Sequence, residues 1–170
     1  GIDLLTWICS TADTVKIQVT ENQLLARTDQ ALVSTQLVAG IYPQYRQVLP
    51  DEESLDKTAV IDKSAFAQNL RRAQQFTSED SMSVRFTFSE GELRMTSRSP
   101  EEGEAEVTMD IEYQADELEI GFDPRFLLDV MKVLDDQDIV LKMRDPEAPG
   151  TIRQRGEFEY LYLVMPTELG

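Results

Sequence analysis

The chain has 170 residues, 41% of them apolar, which suits one full domain or one and a part. Its formal charge of -16, from 16 Lys and Arg against 32 Asp and Glu, excludes a surface that is basic throughout, so any phosphate-binding face must be local. There is no histidine, which excludes Ser-His-Asp and Cys-His centres and the usual acid-base of neutral pH.

Taken in order, Asp3 to Cys9 is predicted as a short helix with Asp3 as its N-cap and Leu4, Leu5 and Ile8 on one face. Cys9, the only thiol, falls in that apolar pattern and reads as a small core residue. It offers no disulfide framework. No apolar run reaches the length that crosses a bilayer, and no charged-then-apolar leader opens the chain, so a reducing cytoplasm is expected. Val15, Ile17 and Val19 alternate with Lys16 and Gln18 as a half-buried strand, and Thr20 to Gln23 turns. Leu24 to Thr28 completes a hairpin, and Ala31 to Val38 reads as a third strand.

Gly40 to Pro50 is a connector by its Gly40, Pro43 and Pro50, yet it carries Ile41, Tyr42, Tyr45, Val48 and Leu49. Those side chains fit either a segment lying against the domains it joins, shaping a groove, or an ordinary packed loop. The acidic run Asp51 to Glu53 follows as loop, then a short strand from Ala59 to Ile61. Asp62 caps a predicted helix from Lys63 to about Phe76, with Phe66, Leu70 and Ala73 on one face. Val84, Phe86 and Phe88 lead through the Ser89 to Glu92 turn to Leu93 and Met95. Ala105 to Tyr113 is the cleanest alternating strand, one face wet and one buried, and Leu118 to Phe122 is another. Asp123-Pro124 starts a helix that buries Phe126, Leu127, Val130 and Leu134. Ile139 to Met143 is a strand, Asp145 to Gly150 a loop, and Phe158, Tyr160, Tyr162 and Val164 alternate as a last strand.

A unit of helix, hairpin and further strand thus recurs from Asp3, Asp62 and Asp123. The first two hairpins align residue by residue: Val15 with Val84, Ile17 with Phe86, Thr20 with Ser89 and Leu24 with Leu93. Such units bury their apolar faces beside a neighbour, and two make a domain with helices on one side of antiparallel sheet. Three leave one unpaired, which together with Gly1 in place of Met predicts a chain truncated at its start.

No enzyme is expected. The carboxylate clusters at Asp51, Glu101 and Asp135 sit in turns, where solvated charge is the default, and the Asp135 cluster lacks the pattern of a calcium loop. No glycine-rich phosphate loop occurs, and no metal or cofactor is implied. Arg71 and Arg72, with Gln68 and Gln75, fall opposite the apolar face of the second helix, as Arg125 and Lys132 do on the third. Neither outward face is mainly acidic, although Asp129 lies at the edge of the latter, and in so acidic a chain that fits phosphate contacts, or else ordinary solvated helix surface. The end, Leu163-Val164-Met165-Pro166, leaves apolar residues beyond the alternation: surface offered to varied partners, or a plain strand end.

Gly40 to Pro50, Leu163 to Pro166 and the Glu119 to Leu134 block together resemble the bacterial DNA polymerase III beta subunit family, the replicative sliding clamps, over essentially the whole chain. The resemblance implies an α+β clamp fold of repeated helix-plus-antiparallel-sheet units. Residues 1–50 would be the second half of the middle clamp domain and connector, and 51–170 the C-terminal domain. It further implies a non-catalytic processivity factor, a head-to-tail homodimeric ring around duplex DNA when full length, serving DNA polymerase III, the clamp loader and other proteins with clamp-binding motifs. Arg71, Arg72, Arg125 and Lys132 would face DNA through loose contacts without base readout. Pro43, Gln47, Val48, Leu163, Val164, Met165 and Pro166 would form the apolar partner-peptide pocket, at the junction of the middle and C-terminal domains. Gln75 and Phe76 would lie at the subunit interface. The chain departs from the family in Thr167 and Glu168, where Met and Arg are usual, in the additional Gly170, and in Gln47, where arginine is common. The upstream wall of the pocket is missing, which implies an incomplete pocket. The alternative reading is a stand-alone protein-interaction domain that does not encircle DNA.

Overall fold

In the computed structural model, residues 2–40, 44–77, 82–99, 103–156 and 160–169 are described. They form two compact units, Gly1–Tyr45 and Arg46–Gly170. No helix among the described residues is long and apolar enough to cross a membrane.

The first unit is one helix and an antiparallel meander: α1 (Ile2–Ser10), β1 (Lys16–Val19), β2 (Gln23–Arg27) and β3 (Leu32–Gln36). Thr20 N–H donates to Gln23 O at 2.8 Å to close the first turn. Thr28 closes the second, its N–H donating to Ala31 O while its hydroxyl accepts from Ala31 N–H. The buried core comprises Ile8, Ala26 and Val33. Four sequence expectations are corrected here. Helix α1 begins ahead of Asp3, so Asp3 lies in the first turn, where its charge still complements the helix dipole, and is not the cap. Cys9 is exposed, because Ile8 takes the inward position and the next residue is rotated about 100° away. Strand β1 is exposed throughout, with Ile17 59% and Val19 64% accessible, and Leu4 is exposed as well.

The second unit contains two β-α-β-β-β repeats. The first is β4 (Lys57–Asp62), α2 (Lys63–Gln74), β5 (Val84–Ser89), β6 (Glu92–Ser99) and β7 (Gly103–Asp110). The second is β8 (Leu118–Phe122), α3 (Pro124–Met131), β9 (Asp138–Met143), β10 (Gly150–Gln154) and β11 (Tyr162–Val164). Each repeat lends its opening strand to the other's sheet. Strand β8 pairs with β5, setting Ile120 against Phe86, and β4 pairs with β9, setting Ala59 against Leu141. The sheets are therefore β7-β6-β5-β8 and β11-β10-β9-β4. They are also joined at both ends. Val60 and Glu112 exchange backbone hydrogen bonds of 2.9 and 3.0 Å, and Thr167 N–H donates to Gly121 O at 2.9 Å. One apolar core serves both repeats, and Phe86 of β5 meets Phe66 of α2 and Phe122 of β8 at ring separations of 6.3 and 5.6 Å.

That sharing explains the exposure of β1. Phe86 and Phe88, the counterparts of Ile17 and Val19, are fully buried because the second repeat supplies the other half of their core. Further differences are local. Phe126 is 53% exposed rather than buried: the inward face of α3 is Leu127, Val130 and Met131, continuing to Leu134, and Phe126 falls one position off it. Gly150 opens strand β10 rather than closing a loop, and β10 is a strand that the alternation did not reveal. The last strand is shorter than expected, and Phe158 lies outside the described residues. The acidic run is not plain loop: Asp51 caps a 3-10 turn, Glu52–Ser54, and Glu52 pairs with Lys142 at 3.1 Å.

Candidate nucleic-acid and partner interfaces

Helix α2 starts where the Asp62 carboxylate accepts the Ala65 N–H at 2.7 Å, and it buries Phe66, Ala67, Leu70 and Ala73. Its outward positions are Ser64, Gln68, Arg71, Arg72 and the capping Gln75, and the helix holds no acidic residue. Both arginines are exposed, and neither has an ion pair among the described residues. Gln75 is exposed, and Phe76, half-buried, donates its N–H to Ala73 O at 3.1 Å.

Helix α3 packs beside α2. Its cap, Asp123, accepts the Arg125 N–H at 2.9 Å, and the Arg125 side chain folds back onto the same carboxylate, with Nη2 2.6 Å from Oδ2 and Nε 3.0 Å from Oδ1. Burial alone would raise the Asp123 carboxyl, but the hydrogen bonds and charge of Arg125 prevail and hold it below its ordinary 3.8. Lys132 pairs with Asp129 at 2.7 Å, both side chains well exposed. The turn that follows α3 is tied to α2 by Lys63, whose Nζ donates to Leu134 O at 2.6 Å. Of the four expected cations, the two on α2 have no ion pair to a described residue and the two on α3 are engaged.

The expected apolar site residues described here lie in the second unit, and Pro43 lies outside the described residues. Gln47 ends a 3-10 turn, Tyr45–Gln47, and is exposed, as is Val48. Leu163 and Val164 stand on β11; Leu163 is half-buried, and Val164 is buried in the register position opposite Gly150. Met165 then emerges 61% exposed and Pro166 half-buried, before Thr167 is captured by Gly121 and by Ser83, hydroxyl to hydroxyl at 2.6 Å. The strand pairing on both sides presents Met165 at a fixed place.

Sequence reasoning did not find an open groove of about 660 Å³ at the β4–Glu112 junction, lined by Thr58, Val60, Glu90, Glu112, Tyr113 and Gln114 among others. Its residues are distant in sequence, and it shares none with the expected sites. Among the described residues no cluster of His, Cys, Asp and Glu could hold a metal ion.

Two strand-exchanging repeats with their helices side by side define an α+β repeat domain whose exposed features are a cationic helix face and a presented apolar tail. The chain belongs to the DNA polymerase III beta subunit family: the model of that family's C-terminal domain matches residues 46–168. The beta sliding clamp of Proteus mirabilis is 32% identical over 155 residues, 91% of this chain and 42% of that protein. A crystal structure of the Pseudomonas aeruginosa DNA polymerase sliding clamp with ligand superposes with TM-score 0.90 at 29% identity, over 99% of this chain and 46% of that one. The Bartonella birtlesii sliding clamp bound to griselimycin gives 0.89 at 27% identity, over 98% and 45%. The chain spans just under half the length of these relatives.

Proposed function

We propose that this chain serves as part of a replicative sliding clamp, a non-catalytic processivity factor that holds DNA polymerase III on duplex DNA in the bacterial cytoplasm. The observation that carries the reading is likeness to solved clamps along nearly the whole chain, with the repeat architecture intact. In this reading residues 1–50 are the second half of a middle domain and 51–170 the C-terminal domain. The helices of the second unit turn toward DNA, and the full-length ring closes head to tail with Gln75 and Phe76 at the subunit contact. Clamp loader, polymerase and other partners dock short peptide motifs on Gln47, Val48, Leu163, Val164, Met165 and Pro166, with Pro43 completing the set. Ligand-bound relatives such as the Bartonella clamp with griselimycin favour a site of this kind. Exposed methionine adapts its shape to different apolar side chains.

Fluorescence anisotropy with a labelled clamp-binding peptide tests this. Met165→Ala is expected to weaken binding about tenfold, as loss of an apolar anchor does, while leaving the thermal melt within about 0.5 kcal/mol, as for other exposed positions. A matching loss of thermal stability would make Met165 a packing residue and sink its role in docking.

A further inference from the structure

The reading above puts both helices of the second unit toward DNA, and this inference rests on it. The helices are not electrostatically equivalent. On α3, Arg125 is held by three side-chain hydrogen bonds to the buried Asp123, and Lys132 by Asp129 at 2.7 Å. Each pair is close to neutral from more than a Debye length away, about 10 Å at 0.1 M salt. On α2 there is no carboxylate, and Arg71 and Arg72 stand exposed without ion pairs to described residues. In a chain of formal charge -16, a phosphate gains attraction only where positive charge is not already spent.

We infer that α2 alone carries the phosphate contacts of this domain, through Arg71 and Arg72, and that Asp129 holds the α3 side silent by occupying Lys132. Two consecutive arginines on one exposed turn reach neighbouring phosphates of a backbone without reading bases, which a sliding contact requires. Arg125 is fixed in a structural role. It cannot reach outward without taking its charge and three hydrogen bonds from a buried carboxylate, a costly state. Lys132 is different, since both it and Asp129 are largely exposed and their bond is weak. Asp129 is therefore a negative determinant of DNA affinity, and removing its charge adds a third cation beside the α2 pair.

The test is anisotropy of a fluorescein-labelled DNA duplex titrated with the full chain across a series of low salt concentrations. Arg71→Ala with Arg72→Ala is expected to weaken binding at least about fivefold and to flatten the plot of log K against log salt by about two units, one per lost phosphate contact. Asp129→Asn is expected to tighten binding about twofold to threefold and steepen that plot by about one unit. Adding Lys132→Ala to Asp129→Asn returns the parent value. Unchanged or weakened binding by Asp129→Asn, or retained binding by the double arginine variant, overturns the assignment while leaving the DNA reading intact. A parent chain with no salt-sensitive duplex binding overturns the DNA reading itself and the assignment with it.

Discussion

Tyr113 shows how one buried polar group is made safe. It is 2% exposed, its ring 5.7 Å from that of Phe88, and its hydroxyl donates to Asp116 O at 2.6 Å. Burial, with the nearby carboxylates of Asp56 and Asp116, pushes the phenol up from 10.0 to about 12. The folded chain thus keeps the proton that the unfolded chain gives up near pH 10. Stability from this group is whole below pH 10 and falls as pH rises through about 12, because unfolding there releases a proton. Chemical denaturation across that range is expected to show the decline, and Tyr113→Phe to shrink it. The same variant costs about 1 kcal/mol at neutral pH, since the Asp116 carbonyl loses its donor. If the variant keeps the alkaline decline undiminished, other tyrosines cause it.

At the scale of elements, the tail after β11 is held at Gly121 and Ser83, and the glycine makes room for it. A Cβ on Gly121 would lie 2.6 Å from Thr167 O, 2.9 Å from its Oγ1 and 3.0 Å from Leu169 Cδ2, and the first of these is backbone. Gly121→Ala must therefore push the tail off β8, with a loss of about 1–3 kcal/mol typical of overpacking. Hydrogen exchange at the Thr167 amide should accelerate and Met165 lose its fixed place; an amide still protected in the variant would count against this. How far such features are legible in sequence depends on how local their causes are. Asp62 and Asp123 as caps, the Gly91 turn and the repeat itself were readable, since capping, turns and periodicity act within a few residues. Strand β10 was not, because Thr151, Arg153 and Gln154 surround a single Ile152, and its place is fixed by β9 and β11. The exposure of Ile17 was hidden for the same reason, burial being decided by a distant repeat. Cation types on the helices were legible and their partners were not, although the spacing of Asp129 and Lys132 at i and i+3 could have signalled the pair.

At the scale of the molecule, strand exchange sets how stability is distributed. Neither repeat of the second unit owns a complete sheet, since β4 and β8 each close the sheet of the other repeat. Opening one repeat therefore strips a strand from the other and exposes the common core around Phe66, Phe86 and Phe122. Such a unit should open only as a whole. The first unit has a single helix over three strands and buries Ile8, Ala26 and Val33, while Trp7, Ile17, Val19 and Leu32 remain exposed. Each fully buried aliphatic side chain contributes about 1.5–3 kcal/mol, against about 1–2 kcal/mol of backbone entropy for every ordered residue. The balance favours low-energy opening of the first unit. Native-state hydrogen exchange in increasing denaturant is expected to show β1, β2 and β3 exchanging through local opening. Amides of β5, β6 and β9 should share one higher isotherm that merges with global unfolding. Separate isotherms for β5 and β9 would mean that the two repeats open independently and that the exchanged strands do not couple them.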